Sequence, residues 1–474
     1  MIYDSAPPSP SVSAANSELR LGYLWTIAFV AALGGLLFGY DWVVIGGAKP
    51  FYEAYFHLTS DVLVGWANSC ALAGCFLGSL LAGPFTDRFG RRRVLLLSAL
   101  LFAVSSLGTG WAYTFTAFVA WRIGGGLAIG IASIVSPMYT AEISPAAWRG
   151  RLVSVNQLAL VTGILAAQIA NWVIARPVPS GLHGAALAGS WNAQYGWRWM
   201  FSVVAVPALV LLAAAPFIPE SPRWLVTRYR DQEATEVLRS LGGHKYAREE
   251  LQSIQQVSAT HRDQAKWREL LSQPGRKLLI IGIALAVLQQ GSGINILFNY
   301  AQEVYHSAGY GLSGIMLNIV ITGAINLVFT LAAMLMVDRI GRRPLMIFGC
   351  FAVGASHLAA GIAYHVHLGG IWVLVLTLCA IACYAMSLAP VTWVLITEIF
   401  PNRMRASAVS ISVAALWVAS FLLTYTFPWL NRRIGTSGAF LLYASICFAG
   451  ALFVFGVVPE TKGRSLEALE HSIS

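Results

Sequence analysis

The sequence predicts an all-α membrane protein: twelve transmembrane helices in two pseudo-symmetric six-helix bundles, with a small intracellular helical segment between them. Three observations carry this. Hydrophobic residues make up 57% of the 474-residue chain and charged residues 11%, with a mean hydropathy of +0.66, whereas soluble domains hold about 25% charged residues. Apolar stretches of about 20 residues, the length that crosses a hydrocarbon core of about 30 Å, keep recurring. Short charged motifs occur twice, in the same order. Asp87-Arg88-Phe89-Gly90-Arg91-Arg92 returns 251 residues later as Asp338-Arg339-Ile340-Gly341-Arg342-Arg343. Glu142-Ile143-Ser144-Pro145 with Arg149 returns 256 later as Glu398-Ile399-Phe400-Pro401 with Arg405. Pro219-Glu220-Ser221 with Arg223 returns 240 later as Pro459-Glu460-Thr461 with Arg464. A duplicated helical unit in a membrane is the architecture of alternating-access transporters.

In chain order, residues 1–22 form a polar, Pro/Ser-rich tail. No small-residue cleavage site follows the first apolar stretch, which reads as a retained helix and not a signal peptide. The N-terminal bundle, 23–218, holds apolar stretches at roughly 23–47, 62–85, 93–112, 114–140, 152–175 and 197–218. Residues 219–276 form the one sizeable polar stretch. There Leu238, Leu241, Leu251 and Ile254 recur at helical spacing among charged residues, as in amphipathic helices packed under a bundle. The C-terminal bundle, 277–458, holds stretches at roughly 277–304, 313–337, 344–365, 370–397, 406–429 and 437–458, the seventh and tenth the least sharply bounded. Residues 459–474 are a second polar tail.

Of the 31 Lys and Arg residues, 25 fall in the tails and in the loops on the same side of the membrane. Five, Lys49, Arg176, Arg198, Arg432 and Arg433, fall on the other side. Positive loops face the cytoplasm, so both termini are expected there. The net charge of +10 is thereby a matter of topology and needs no nucleic acid. The six cysteines all lie in apolar spans and read as small buried hydrophobes, not as disulfides or metal ligands. His365 and His367, in an outer loop, read as solvated. With no nucleophile–base set, phosphate loop or metal cluster in view, no enzyme, cofactor or metal is expected.

Two charges sit inside apolar stretches. Asp41 lies about six residues from the outer end of the first, roughly 9 Å deep, and Arg122 about eight residues into the fourth, roughly 12 Å deep. Similar depth on oppositely directed helices permits a buried ion pair, which a lone charge in lipid would require. The pair is either purely structural or a proton switch, since a carboxylate that leaves its arginine in an apolar setting takes up a proton more readily. The motif charges Asp87, Arg91, Glu142, Arg149, Asp338, Arg342, Glu398 and Arg405 lie at the cytoplasmic ends of helices. They either bridge the two halves when that mouth closes or anchor helices at the headgroups. Amides form the third group: Asn156 and Gln157, Gln289, Gln290 and Asn295, and Asn326. Adjacent glutamines point about 100° apart on a helix, so a shared cavity requires local unwinding, which Gly291 and Gly293 permit. Amides donate and accept, which suits neutral polyhydroxyl ligands, and Trp393 and Trp417 offer flat faces for the C–H surface of a sugar ring.

Gly39-Tyr40-Asp41, the Asp87 motif, Arg122-Ile123-Gly124-Gly125-Gly126, Pro219-Glu220-Ser221-Pro222-Arg223-Trp224-Leu225, Gln289-Gln290 with Gly293-Ile294-Asn295, and Pro459-Glu460-Thr461-Lys462-Gly463 all stand in order. Over nearly its whole length the chain resembles the sugar porter family of the major facilitator superfamily. It is most similar to bacterial xylose–proton symporters and more distantly to animal facilitative glucose transporters. The resemblance implies the major facilitator fold and a sugar site between the bundles formed by Gln157, Gln289, Gln290, Asn295, Asn326 and Trp393, with Phe38 and Trp417 nearby. It also implies proton coupling through Asp41 and Arg122, because facilitators of the family usually carry a neutral residue at the Asp41 position. Three positions depart from the pattern. Leu416 replaces a sugar-contacting amide, Asn299 replaces the first of two outer-gate tyrosines, and Val204 replaces a glutamate of some xylose symporters. The expectation is a monomeric symporter in the inner (plasma) membrane that imports a monosaccharide, pentose or hexose, with a proton. A facilitative sugar or cyclitol uniporter and a non-transporting sugar sensor are the alternatives.

Overall fold

The computed structural model describes residues 19–179, 185–260, 272–400 and 404–462. Every regular element among them is a helix. Ten helices or helix groups each make one membrane span: Leu21–Phe56 (span 1), Asp61–Phe89 (2), Arg91–Gly110 (3), Phe115–Ile143 (4), Arg149–Ile174 (5), Asn192–Phe217 (6), Gly275–Asn299 (7), Leu312–Val337 (8), Arg342–His365 (9) and Ile371–Glu398 (10). The last helix, Arg405–Val457, runs 53 residues. At 1.5 Å per residue that is about 80 Å, more than twice a hydrocarbon core. Gly435, at φ 70° and ψ 171°, breaks it into spans 11 and 12. The described residues therefore hold twelve spans. Span 1 runs past residue 47, where the apolar stretch ends, through Pro50 to Phe56.

The spans pack by small residues, as expected where lipid removes the hydrophobic drive between helices. A Cβ on Gly39 would lie 1.9 Å from the Leu160 carbonyl oxygen, and one on Gly163 2.1 Å from that of Leu36. Spans 1 and 5 thus meet backbone to backbone. Long apolar side chains point outward, among them Phe29, Leu335, Trp372, Leu452 and Phe455, all more than half exposed on the isolated chain, where lipid tails would cover them.

Between spans 6 and 7, helices Pro222–Thr227 and Asp231–Thr260 lie at the end of the N-terminal bundle that carries the charged motifs, hereafter the basic end. Leu241 is buried with Leu24, Ile27 and Tyr139 of that bundle, and Leu238 and Ile254 form a small core with Trp224. The Trp224 indole donates to the Asp87 carbonyl at 2.9 Å. The apolar stripe therefore has a place to pack.

The halves meet along spans 2 and 11, 5 and 8, and 1 and 7. At spans 1 and 7, a Cβ on Gly46 would lie 2.1 Å from the Phe298 carbonyl oxygen. Arg432 pairs with Asp61 across the halves at 2.6 Å at the end opposite the basic motifs.

Candidate functional site

Asp41 on span 1 and Arg122 on span 4 are 3% and 2% exposed, and Arg122 Nη1 donates to Asp41 Oδ1 at 2.9 Å. The guanidinium also lies 5.2 Å from the centre of the Phe201 ring. The second carboxylate oxygen, Oδ2, accepts from no described residue although it is buried. Room exists beside it because position 125 is glycine, whose missing Cβ would lie 3.1 Å from Oδ2. A buried acceptor without a donor is costly for a charge and is met by a proton or a water.

The amides gather where two spans are broken. Span 7 continues at both ends beyond its apolar part Gly275–Asn299: it consists of Gln273–Gly291, Ile294–Asn299 and Ala301–Ser307, with Gly293 at φ 78° at the break. Span 10 consists of Ile371–Met386 and Leu388–Glu398, and Pro390 removes the hydrogen bond and crowds the carbonyl four residues back, at Met386. The breaks face each other: Gln289 Nε2 lies 3.3 and 3.2 Å from the Leu388 and Ala389 carbonyls. Gln290 Nε2 donates to Gln289 Oε1 at 3.4 Å and its own oxygen accepts from Asn295 Nδ2, which also reaches Ser420 Oγ on span 11 at 3.3 Å. At the same junction His357 of span 9, 1% exposed, bonds the Ser292 carbonyl at 2.9 Å. Phe38 and Trp417 face each other across the halves at 5.9 Å. The Trp417 indole N–H is buried and has no acceptor among the described residues. Trp393 is half-buried on the second segment of span 10. Gln157 and Asn326 sit on spans 5 and 8, and among the described residues no hydrogen bond joins them to the span-7 amides. Leu416 and Val204 are buried in the apolar core, and Asn299 Oδ1 is buried without a donor among the described residues.

At the basic end the motif charges pair within each half. Arg91 bonds Glu142 at 2.9 Å and approaches Asp87 at 3.7 Å, and Ser221 Oγ donates to Glu142 at 2.5 Å. Arg342 bonds Glu398 at 3.2 Å, and Thr461 Oγ1 donates to Glu398 at 2.6 Å. Arg149 Nε donates to the Ala141 carbonyl at 3.1 Å. No ion pair joins the halves at this end among the described residues; the side chains of Asp338 and Arg405 lie outside that description.

The sequence pattern of the family described as "Sugar (and other) transporter" matches residues 27–472. The chain belongs to this sugar transporter family. As a whole-length member it is 37% identical to the D-xylose-proton symporter of Escherichia coli strain K12, with 96% of each chain covered. It is 38% identical to the glucose transport protein of a Synechocystis strain, covering 97% of this chain and all of the relative. It is 35% identical to the arabinose-proton symporter of Bacillus subtilis, covering 97% of each. Among solved structures it matches the partially occluded inward-open conformation of the E. coli xylose transporter at a TM-score of 0.83 and 36% identity, over 94% of this chain and all of that one. The sugar-analogue-bound form of the same symporter matches at 0.79. The protein is a transporter and not an enzyme.

Two charges of this sugar transporter that sequence counting places in outer loops belong to its interior. Lys49 is 1% and Arg198 4% exposed. Arg198 Nη1 caps the end of span 3 through the carbonyls of Gly110 and Ala112 at 3.0 and 2.9 Å. Lys49 pairs with Glu53 four residues on and with Glu303 of span 7. The Lys-x-x-x-Glu spacing was the available signal that this charge is carried inside a helix.

Proposed function

We propose that this protein imports a monosaccharide, pentose or hexose, together with a proton, by alternating access. It would act as a monomer in the inner (plasma) bilayer, with the basic end and both termini cytoplasmic. The observation that carries the proton is the Asp41–Arg122 pair with its unpartnered Oδ2. When movement of spans 1 and 4 parts the two side chains, the carboxylate loses its one charged donor in a buried setting, and a proton relieves that cost. Proton and conformation are thereby linked. Gln289, Gln290, Asn295 and Ser420, with the Trp417 N–H, would bind the sugar hydroxyls, Gln157 and Asn326 would add amides from the facing spans, and Phe38 and Trp393 would cover its apolar face. The named relatives carry xylose, glucose or arabinose, which supports this cargo class.

Purified protein in liposomes tests the reading through uptake of labelled xylose and glucose with and without an inward proton gradient. One proton per sugar accumulates sugar about tenfold per pH unit, since each unit is worth about 1.36 kcal/mol. Asp41→Asn is expected to abolish accumulation and retain sugar exchange. Uptake by the wild type that only equilibrates would instead make the protein a uniporter and Asp41–Arg122 a structural pair.

A further inference from the structure

Lys49 has no part in the site described above. It lies eight residues, about 12 Å, beyond Asp41 along span 1, toward the mouth opposite the basic end. Its ammonium is enclosed by three groups. Glu53 Oε1, on its own helix, is 2.9 Å away. Glu303, on the outermost segment of span 7 in the other half, is in direct contact. The ring of Tyr300, the residue before that segment, lies 5.3 Å away, and the Tyr52 phenol is a further buried titratable neighbour of Glu53. Glu303 Oε2 accepts from no described residue.

We propose that Lys49 is the latch of this mouth: it holds the outer segment of span 7 against span 1 through Glu303, while Glu53 is the partner that keeps its charge satisfied when the segment leaves. The inference deepens the alternating-access reading and rests on it. The asymmetry of the two carboxylates is the argument. Glu53 sits one turn along the same helix, so its distance to Lys49 does not depend on how the halves are arranged. Glu303 reaches Lys49 only while span 7 lies against span 1, where Gly46 meets the Phe298 carbonyl. A buried ammonium with no partner is costly. Because Glu53 remains, opening loses one contact of two and never strands the charge. A latch with a single carboxylate would hold the mouth shut too firmly to cycle.

The two carboxylates therefore carry opposite predictions. Removing Glu303 weakens only the closed mouth. Removing Glu53 strands Lys49 in the open mouth, and so favours the closed one. Nitroxide labels at T59C and S307C, with Cys379 and Cys383 changed to serine, report the width of the mouth by electron–electron double resonance in nanodiscs, without sugar or gradient. Glu303→Gln is expected to lower the closed-to-open ratio about tenfold, Lys49→Met to lower it likewise, and Glu53→Gln to raise it. Misfolding would not shift two variants in opposite directions. An unchanged ratio in Glu303→Gln, or Glu53→Gln shifting the same way as Glu303→Gln, overturns the latch. The distances are read without transport, so that outcome leaves sugar–proton symport standing, and failed accumulation in liposomes leaves the latch standing.

Discussion

A single hydrogen bond between neutral groups contributes about 0.5–1.5 kcal/mol, so sugar affinity must be spread over several side chains. Gln290 sits at the centre of the amide chain that runs from Leu388 and Ala389 through Gln289 to Asn295 and Ser420. Gln290→Ala is expected to weaken sugar binding about threefold to tenfold, more if Asn295 turns away. Trp393→Ala is expected to weaken it by a similar factor through loss of a flat apolar face. Isothermal titration with xylose and glucose checks both, and unchanged affinity in both places the sugar elsewhere. The Asp41–Arg122 pair was legible in the sequence because depth can be counted from a helix end and lipid penalises a lone charge. Lys49 was not, since a charge near the end of an apolar stretch looks the same whether it faces water or a partner in the other half.

At the scale of the element, the breaks do the positioning. Gly293 adopts φ 78°, which costs a side chain about 1–2 kcal/mol, and a Cβ there would lie 2.5 Å from the Tyr443 ring. Gly293→Ala is expected to abolish specific sugar binding while leaving the protein folded, measured by titration beside circular dichroism; retained binding would mean that the break does not set the amides. The glycine-rich sequence after Gln290 made this break readable. The break in span 10 was less so, since only Pro390 marks it within a long apolar run. Helix ends at the basic end obey a second rule. Glu460 takes the backbone N–H groups of Arg342 and Arg343, each at 3.1 Å, at the start of span 9, as Glu220 takes those of Arg91 and Arg92 at the start of span 3. Burial pushes the Glu460 carboxyl up, but the N–H groups of Lys462, Arg342, Arg343 and Thr461 outweigh it and hold it below the usual carboxylate range. A lowered value stabilises the fold above the unfolded carboxylate pKa of about 4.3, and that stabilisation is lost as pH falls through the lowered value. Glu460→Gln is thus expected to melt earlier than wild type at pH 7, with the gap closing in acid. A gap that persists unchanged at pH 3 would mean that the charge contributes nothing.

At the scale of the molecule, the duplication visible in the motif offsets explains why each half repeats the same arginine–glutamate pair at its basic end, Arg91 with Glu142 and Arg342 with Glu398. What the repeat leaves open is whether these charges ever meet across the halves, because one sequence folds into two states and a static pattern describes neither. Among the described residues the ion pairs between halves, Lys49–Glu303 and Arg432–Asp61, lie at the opposite end. A gate made by both clusters has a consequence that anchoring does not. Groups that never approach change a rate independently, and their effects add as free energies; groups that meet in another state couple by about 0.5–3 kcal/mol. Glu142→Gln and Glu398→Gln are expected to slow transport singly, and the double variant to lose less than the product of the two. Turnover of all four proteins in liposomes checks this. Strict additivity would reduce the motifs to headgroup anchors and leave the closing of the basic mouth to the apolar packing of the spans.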